Sequence, residues 1–307
     1  MYSFIVNPNA RSGLGASVWH QLEQILKEKN VNYQVFFTRY QRHATSIVHE
    51  ITSDSKKHII VVLGGDGTVN EVVNGIADYT KTTLGYIPIG SSNDFARYFQ
   101  LNRDPVKALQ VVLSPSRFQN MNIGTICYSN NNRRKHFAVS TGIGFDAAVC
   151  HQAVMSKLKI LLNKLHLGKL TYAGIALHQM LALSPKDMTI TLDDQKPMTF
   201  HHVYFTSALN HPFQGGGFKF CPKADPCDDY LDVTVIAGIS KLKVLLLLPT
   251  AFKGWHVHFK GVHIFRCKKL KIESSIPLPV HTDGEPVFLQ REMSASLEPD
   301  KLRVITG

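Results

Sequence analysis

A glycine-rich turn in the first quarter of the chain carries the residues best suited to chemistry. Gly64, Gly65, Asp66, Gly67 and Thr68 follow the apolar run HIIVVL and precede the helix-like segment VNEVVNGIA. Glycines at a strand end let the backbone approach a polyphosphate closely, and the following helix offers unpaired amides and a positive dipole end. An acid beside phosphates is unfavourable unless it handles a metal ion or a proton. The motif favours nucleotide binding with a chemical task for Asp66, and a plain strand-to-helix turn is the alternative.

Two further polar loops follow predicted strands of the same region. Residues 7–13, NPNARSG, follow the first strand, and residues 90–97, GSSNDFAR, follow the run LGYIPI. Both loops are rich in hydroxyl, amide and glycine groups, and an α/β sheet binds ligands at the carboxyl ends of its strands. Asn93 or Asp94 could also cap the next helix, a role that is compatible with ligand binding.

Other nucleotide motifs are absent or weak. The Walker A pattern GxxxxGK[ST] occurs nowhere, which argues against P-loop chemistry. The GxGxxA match at residues 142–147 lacks a clear βαβ unit and the acid expected about 20 positions further on, so a structural turn is the preferred interpretation.

Two groups of carboxylates stand in the second half of the chain. Asp225, Asp228, Asp229 and Asp232 lie within eight residues, a density of hard oxygen donors that suits Mg²⁺, and a solvated acidic turn is the alternative. The second group is the HTDGEP segment, residues 281–286, whose tight bend holds two acids. Phosphoryl transfer to an alcohol requires positioning, neutralised phosphates and an acceptor for the hydroxyl proton, which such a bend could supply. A surface turn is again the alternative.

The spacing of apolar residues predicts the elements that position these groups. The first ~120 residues alternate strands and helices, typical of an open, mainly parallel sheet with helices on both faces. After about Asn122, period-2 stretches predict an antiparallel β domain, interrupted by helical segments at 153–183 and 240–252. We therefore expect domains 1–122 and 123–292, with a tail of about 293–307 that either closes the second domain or returns to the first. The predicted strands are 3–6, 33–38, 58–63, 84–89, 136–140, 188–192, 199–207, 231–236 and 270–274, and the early helices are 18–27, 44–51, 70–77 and 94–99.

Composition limits the classes of protein. The 307 residues are 44% hydrophobic, which excludes a disordered chain, and the net charge of +11 indicates an anionic partner. Five cysteines without CxxC spacing favour reduced thiols and a cytoplasmic location. The first residues, MYSFIVNPNA, lack a basic region, so no signal peptide is expected, and the longest apolar run, 244–248, is far below the ~18 residues of a membrane span. Any membrane contact should therefore be peripheral.

A basic stretch indicates where such contact could occur. Residues 237–272 contain no acid, and their cations are interleaved with Phe252, Trp255 and Phe259, as expected at an anionic leaflet. A second lysine-rich segment, 155–170, has apolar residues at helical spacing. The alternative is the solvated face of a basic protein, and no nucleic-acid partner is expected because no recognisable module is present. The cations of the first stretch are Lys241, Lys243, Lys253, Lys260, Arg266, Lys268, Lys269 and Lys271.

The ordered motifs together resemble one family. NPNARSG, GGDGTVNEVVNG and IPIGSSNDFAR are similar to the diacylglycerol kinase catalytic domain, in particular to soluble bacterial lipid kinases with sphingosine-kinase-like relatives. The resemblance continues through GIGFDAAV, LGKLTYAGIAL, GGGFKFCPKADPCDDYLDV and HTDGEP, so it covers nearly the whole chain. It implies a Rossmann-like parallel domain, an antiparallel β-sandwich that receives the lipid, and an active site in the cleft between them.

The resemblance also implies roles for individual residues. Glu285 would accept the proton, Asp283 would join a magnesium–water network, and Asp66 would act on the catalytic metal or, as in some relatives, as the base. A structural Mg²⁺ would be held by the side chain of Asp228 and by main-chain carbonyls near Asp225 and Tyr230. The family usually has threonine at Ser91 and glycine at Asp229. The candidate ATP-binding residues are Asn7, Pro8, Asn9, Ala10, Arg11, Thr38, Gly64, Gly65, Asp66, Gly67, Thr68, Asn70, Ser91, Asn93 and Asp94.

The sequence therefore predicts a cytoplasmic, peripherally membrane-associated kinase that uses ATP and Mg²⁺ to phosphorylate a lipid hydroxyl, and the preferred reaction is the conversion of diacylglycerol to phosphatidic acid. An NAD kinase and a catalytically inactive nucleotide-binding module are the alternatives. The lipid class and its acyl chains stay open, and so does a homodimer.

Overall fold

The chain folds into two compact units in a computed structural model that describes residues 1–128, 133–155, 178, 182 and 184–307. The first unit contains Met1–Ile123 and Glu298–Gly307, and the second contains Gly124–Leu297.

The first unit is built on a six-stranded sheet in the order β2-β1-β3-β4-β17-β5. Its strands are parallel except for the antiparallel pair β17 and β5. The strands are β1 (Tyr2–Val6), β2 (Tyr33–Phe37), β3 (His58–Gly64), β4 (Thr82–Pro88), β5 (Phe118–Met121) and β17 (Leu302–Ile305). The helices are α1 (Ala10–Glu28), α2 (His43–Thr52), α3 (Asp66–Val73), α4 (Asp94–Tyr98) and α5 (Pro105–Leu113).

Alternating side chains of the central strands cover both faces of this sheet. Val61 and Leu63 of β3 share one buried cluster with residues of α1 and α5, including Trp19 and Leu109. Their neighbours in β3, such as Val62, are equally buried and face the opposite side, where α2 and α3 contact the same strand. Successive strand side chains point to opposite faces, so a continuous apolar run such as HIIVVL needs helices on both sides. The predicted α/β fold is confirmed.

Two helices of the first unit differ from the prediction. Helix α1 begins at Ala10, whereas the predicted helix begins at Val18. The backbone of Arg11, Ser12 and Gly13 is left-handed and interrupts the first turn, so the sequence there shows no helical spacing of apolar residues. Helix α5 was not predicted. Its signal is Asp104, whose carboxylate accepts the amides of Val106 and Lys107 and caps the helix ahead of Pro105.

The second unit is an antiparallel sheet of nine strands in the order β14-β13-β10-β8-β15-β16-β6-β7, with β9 pairing β10 and β15, and a short hairpin. The strands are β6 (Gly124–Tyr128), β7 (Arg133–Phe137), β8 (Ser140–Gly144), β9 (Lys186–Leu192), β10 (Met198–Leu209), β11 (Phe213–Gln214), β12 (Phe218–Lys219), β13 (Leu231–Ala237), β14 (Val262–Cys267), β15 (Lys269–Thr282) and β16 (Glu285–Leu297). The described helices are α6 (Phe145–Met155) and α7 (Lys241–Leu247), followed by 3₁₀ turns at Leu248–Lys253 and Trp255–His258.

Among the described residues, the second unit has two buried apolar clusters, and the larger one is formed by the nine-stranded sheet. Ile126 and Phe137, near one end of the strand order, share a buried cluster with Val233 and Val235 near the other end. A buried cluster that joins strands from nearly the whole strand order is expected of a sheet folded over itself, as in the predicted sandwich of two facing layers. Most of the helical segment predicted at 153–183 lies outside the described residues.

The carboxyl-terminal tail divides between the two units. Residues 293–297 still pair with β6 in the second unit, so the return to the first unit begins later than the predicted position near 293. Leu302–Ile305 then runs parallel to β4 and antiparallel to β5.

No helix within the described ranges is long and apolar enough to cross a membrane.

Candidate active site

The carboxylate of Asp66 joins two of the strand-end loops of the first unit. Asp66 is the first residue of α3, directly after the glycines, and its Oδ2 and Oδ1 accept the amides of Asp94 and Phe95 at 3.0 and 3.3 Å. Those amides open α4, so the carboxylate also lies at the positive end of that helix. A carboxylate has about four acceptor positions, so a carboxylate that accepts backbone amides can also bind a cation.

Tyr86 and two glycines bring the same loops into direct contact. A Cβ on Gly90 would meet Gly65 Cα at 2.6 Å, so the close approach of the two backbones requires glycine at position 90. The hydroxyl of Tyr86 lies 3.3 Å from Gly64 O and 3.1 Å from Asn93 Oδ1. Burial, with the carboxylates of Asp66 and Asp94 nearby, holds the pKa of Tyr86 well above its usual value, so it remains a neutral donor.

The first polar loop adjoins the glycine turn. The amide of Asn7 donates to Leu63 O at 3.0 Å, and its side-chain amide donates to Thr68 Oγ1 at 3.3 Å. Arg11 and Ser12 have φ values of 48° and 62°, conformations that cost a non-glycine residue about 1 kcal/mol or more. Such strain at a strand end is typical of a loop shaped for a ligand.

The remaining candidates of the first unit lie at the same edge of the sheet. Thr38 follows β2, and its amide donates to Val6 O at 2.9 Å. Ser91 is exposed in the loop after β4, whereas Asn70 of α3 is buried. The sheet thus gathers Asn7–Arg11, Thr38, Gly64–Asn70 and Ser91–Asp94 where an α/β fold binds ligands.

The second unit presents the predicted acids on a two-residue hairpin between β15 and β16. Asp283 and Gly284 have φ values of 49° and 82°, as in a type I′ turn, and Thr282 pairs with Glu285. The Asp283 carboxylate accepts the amides of Ala138, Val139 and Ser140 at 2.8, 2.8 and 2.9 Å. Asp283 is therefore fixed to the loop before β8, while Glu285 begins the outgoing strand.

A buried polar network supports this hairpin, and sequence reasoning missed it. His281 Nδ1 accepts the amide of Gly284 at 3.2 Å, so Nε2 carries the proton and donates to Asp146 Oδ2 at 3.0 Å. The same carboxylate oxygen accepts the Ser207 hydroxyl, and Gln214 Nε2 lies 3.4 Å away. The available signal was Asp146 itself, a charged residue inside the apolar GIGFDAAV segment. A Cβ on Gly142 would lie 2.0 Å from Asp146 Oδ2, which explains the glycine of the GxGxxA match without a dinucleotide.

The acidic loop before β13 contains both satisfied and unsatisfied oxygens. Asp225 Oδ1 and Asp228 Oδ1 accept the amides of Cys227 and Tyr230 at 2.9 and 3.0 Å, and Asp228 Oδ2 pairs with Arg266. Asp232 is buried, and its Oδ2 has no hydrogen-bond partner among the described residues. Burial raises the pKa of Asp232 to about 6, and it also raises the pKa of Asp228 despite Arg266.

This loop fits a hard cation only in part. An orphaned, buried carboxylate oxygen beside other acids is a site where a cation would be stabilising. However, no group of three or more histidine, cysteine or acidic side chains within the described ranges is arranged to hold a metal ion. Magnesium sites commonly use one or two carboxylates with carbonyl and water oxygens. The ligands implied by the resemblance are Asp228 and the main-chain carbonyls near Asp225 and Tyr230; Asp228 would have to give up its contact with Arg266 to bind the cation, and the unpartnered oxygen belongs to Asp232.

Asp229 occupies a position that favours glycine. Its φ is 67°, in the left-handed region. We expect Asp229→Gly to raise the free energy of unfolding by about 1 kcal/mol and Tm by about 3 °C. Asp194→Gly is the matched control, because Asp194 has a φ of 58° and should show the same gain.

Thermal melts with and without Mg²⁺ extend the test to metal binding. Mg²⁺ should raise the Tm of Asp229→Gly but not that of Asp228→Asn. A lower Tm for Asp229→Gly than for the unmodified protein would contradict this account of the loop.

Comparisons with known proteins agree with the two units. Residues 1–126 match the family model described as the diacylglycerol kinase catalytic domain. Residues 139–306 match the YegS C-terminal NAD kinase beta sandwich-like domain. The chain is 31% identical over 307 residues to the Bacillus subtilis protein named "Putative lipid kinase YtlR", covering 99% of this chain and 98% of that protein. It is 30% identical over 244 residues to a diacylglycerol kinase of Mycobacterium tuberculosis, covering 75% of each.

Solved structures give the same fold. A diacylglycerol kinase structure from Bacillus anthracis strain Sterne superposes with a TM-score of 0.71 at 21% identity, covering 99% of this chain and 96% of that one. An NAD kinase from Archaeoglobus fulgidus in complex with ATP has a TM-score of 0.54 at 11% identity, with coverages of 99% and 93%. The family matches, together with this fold, define the class as a two-domain kinase with an α/β domain and a β-sandwich. Within that class, the chain belongs to the diacylglycerol kinase family of lipid kinases.

Proposed function

We propose that this protein transfers the γ-phosphoryl group of ATP to the free hydroxyl of diacylglycerol and produces phosphatidic acid, with Mg²⁺ neutralising the phosphates. The observation that carries the proposal is the Asp66 carboxylate, fixed to the amides of Asp94 and Phe95 beside three glycines. Backbone amides of such a loop bind phosphates, and a carboxylate beside them can bind the cation that accompanies the phosphates.

The first unit supplies the site for the phosphoryl donor. Amides of Gly65, Asp66 and Gly67, at the start of α3, would bind the phosphates, because the first amides of a helix have no partner within the helix. Residues Asn7–Arg11, Thr38 and Ser91 would hold the rest of the nucleotide. Mg²⁺, when bound, would withdraw charge from the phosphate oxygens, and Asp66 would contribute one hard oxygen to it.

The second unit supplies the groups for the acceptor. The Glu285 carboxylate would accept the proton of the lipid hydroxyl. At the same time the hydroxyl oxygen would bond to the γ-phosphorus, and the bond from that phosphorus to the ADP oxygen would break. Asp283 would hold the hairpin through its three amide bonds, and the pair formed by His281 and Asp146 would hold it from the buried side. The reaction itself takes place at a membrane surface, since diacylglycerol resides there.

A competition assay tests the substrate assignment. The protein is incubated with γ-labelled ATP, Mg²⁺ and equal amounts of NAD and of diacylglycerol in mixed micelles, and the products are separated. We expect label in phosphatidic acid, no label in NADP, and loss of transfer in EDTA. Label in NADP would favour the NAD kinase alternative, since the second unit has a fold shared with those enzymes. No transfer to either acceptor, in spite of ATP binding, would indicate a regulatory module without catalysis.

A further inference from the structure

A group of large apolar side chains is exposed in the second unit, between Lys241 and Lys260. Single exposed apolar residues are ordinary, but several in one short segment usually mark a binding surface. Helix α7 places two of them one turn apart, the two 3₁₀ turns carry one each, and the fifth directly follows the second 3₁₀ turn. They are Leu242 (66% exposed), Leu246 (67%), Phe252 (50%), Trp255 (56%) and Phe259 (43%).

This segment closes on itself, so its two ends are neighbours. Lys243 Nζ, in α7, donates to the carbonyl of Lys260 at 3.2 Å. Lys260 directly follows Phe259, so the beginning of the helix lies beside the end of the segment. We call the five apolar residues, together with Lys241, Lys243, Lys253 and Lys260, the apolar-basic face.

The exposure belongs to a folded segment. Ser240 caps α7 by accepting the amide of Lys243, and Val244, Leu247 and Ala251 are buried beneath the helix and the first 3₁₀ turn. The ring of Phe252 stacks on Phe218, with centroids 4.0 Å apart. The opposite sides of α7 and the 3₁₀ turns already pack on the β domain. The exposed side chains are therefore available to a different partner.

The positive charge of this face indicates that its partner is anionic. The face has four lysines, and residues 237–272 contain no acid. Lys253 Nζ lies 4.6 Å above the Trp255 ring, so a cation and an interfacial aromatic stand together. A symmetric contact with a second copy would place lysines against lysines, which is repulsive. An anionic partner with an apolar layer beneath its charges satisfies both halves of the face.

We propose that the apolar-basic face docks this protein onto an anionic lipid bilayer. Leu242, Leu246, Phe252, Trp255 and Phe259 would enter the boundary between headgroups and acyl chains, and the lysines would contact lipid phosphates. The inference deepens the proposed function and rests on it, because it names the surface through which a lipid kinase reaches a membrane.

The two tryptophans of the chain provide a direct test. Trp255 is 56% exposed and Trp19 is 4% exposed, so only Trp255 should change environment at a bilayer. Vesicles of equimolar phosphatidylcholine and phosphatidylglycerol should shift the emission to shorter wavelength, and acyl chains labelled with bromine should quench it. Phosphatidylcholine alone should have little effect. The same shift in Trp255→Phe, where only Trp19 reports, would overturn the proposal, as would no shift in the unmodified protein.

Sedimentation of paired variants measures the contribution of the face. Leu242→Glu with Leu246→Glu should lower the vesicle partition coefficient at least about tenfold. Lys29→Gln with Lys57→Gln changes the net charge by the same −2 on exposed residues of the first unit and should change partitioning much less. Equal losses in the two variants would refute a specific docking face. A blue shift that grows with protein concentration without lipid would indicate self-association and would also refute it.

Kinase assays separate this inference from the proposed function. The Leu242→Glu, Leu246→Glu variant should phosphorylate short-chain, water-dispersed diacylglycerol normally but long-chain diacylglycerol in vesicles at least about tenfold more slowly. If the unmodified protein phosphorylates no lipid while Trp255 still enters the bilayer, the proposed function fails and the docking face stands. If vesicle and short-chain rates fall together in the variant, the docking face fails and the kinase assignment stands.

Discussion

Asp66→Asn is expected to lower kcat by about a thousandfold or more, equivalent to about 4 kcal/mol of transition-state stabilisation. The substitution keeps the shape of the side chain and one acceptor oxygen for the amides of Asp94 and Phe95. It removes the negative charge that we assign to the cation beside the phosphates. Turnover should therefore fall much more than ATP affinity, and steady-state kinetics with a parallel nucleotide titration would separate the two.

Asp104→Asn is the matched control for this variant. Asp104 also accepts two backbone amides, those of Val106 and Lys107 at 2.9 and 3.0 Å, and it also caps a helix of the first unit. We expect it to lower stability by about 1 kcal/mol or less and to leave kcat unchanged. If Asp66→Asn lost no more activity than Asp104→Asn, Asp66 would have only a capping role.

Glu285→Gln should lower kcat by about 10²- to 10⁴-fold and leave Tm nearly unchanged, because it removes the proton acceptor. Asp283→Asn should have the opposite balance. Weakening three charge-assisted amide bonds should cost about 2 kcal/mol and lower Tm by about 4–8 °C, with a smaller loss of kcat from the displaced hairpin. Thermal melts and kinetics on the two variants therefore distinguish the proton acceptor, Glu285, from the residue that holds the hairpin, Asp283.

Two controls from the same unit complete the comparison. Asp193 lies in another tight turn, with a φ of 48°, and its Oδ1 accepts the amides of Lys268 and Lys269 at 2.7 and 2.8 Å. Asp193→Asn should therefore lower Tm without affecting kcat. Glu292→Gln, on the same strand as Glu285, should affect neither strongly. Retention of more than about a tenth of the activity in Glu285→Gln would transfer the base role to another group.

Local chemistry explains what could be predicted from the sequence. The GGDGT turn was recognisable because its features lie within five residues. Glycines and an acid occur together there, directly between an apolar strand and a helix. The Asp283-Gly284 pair was recognisable as a tight bend for a similar reason, since it suits a two-residue hairpin. The alternating and helical spacings of apolar residues predicted the folds of both units, because the burial pattern of each strand or helix is visible in its own short stretch of sequence.

Contacts between distant residues could not be predicted in this way. Asp66 meets the amides of Asp94 and Phe95, 28 and 29 residues away, and His281 meets Asp146 across 135 residues. No local preference specifies such pairs, because the folded sheet brings them together. The unpredicted α5 and the interrupted start of α1 have local causes instead, a side-chain cap and a left-handed turn.

Hydrogen exchange with and without MgATP tests the central claim most directly, since the claim is that the glycine turn of the first unit binds the triphosphate. We predict slower exchange of the amides in residues 64–70 and 90–95, weaker protection in 7–13, and no change in helix α5. The effect should require ATP and be much smaller with adenosine, which lacks phosphates. Binding of ATP that left residues 64–70 unprotected, or that protected only another region, would contradict the account.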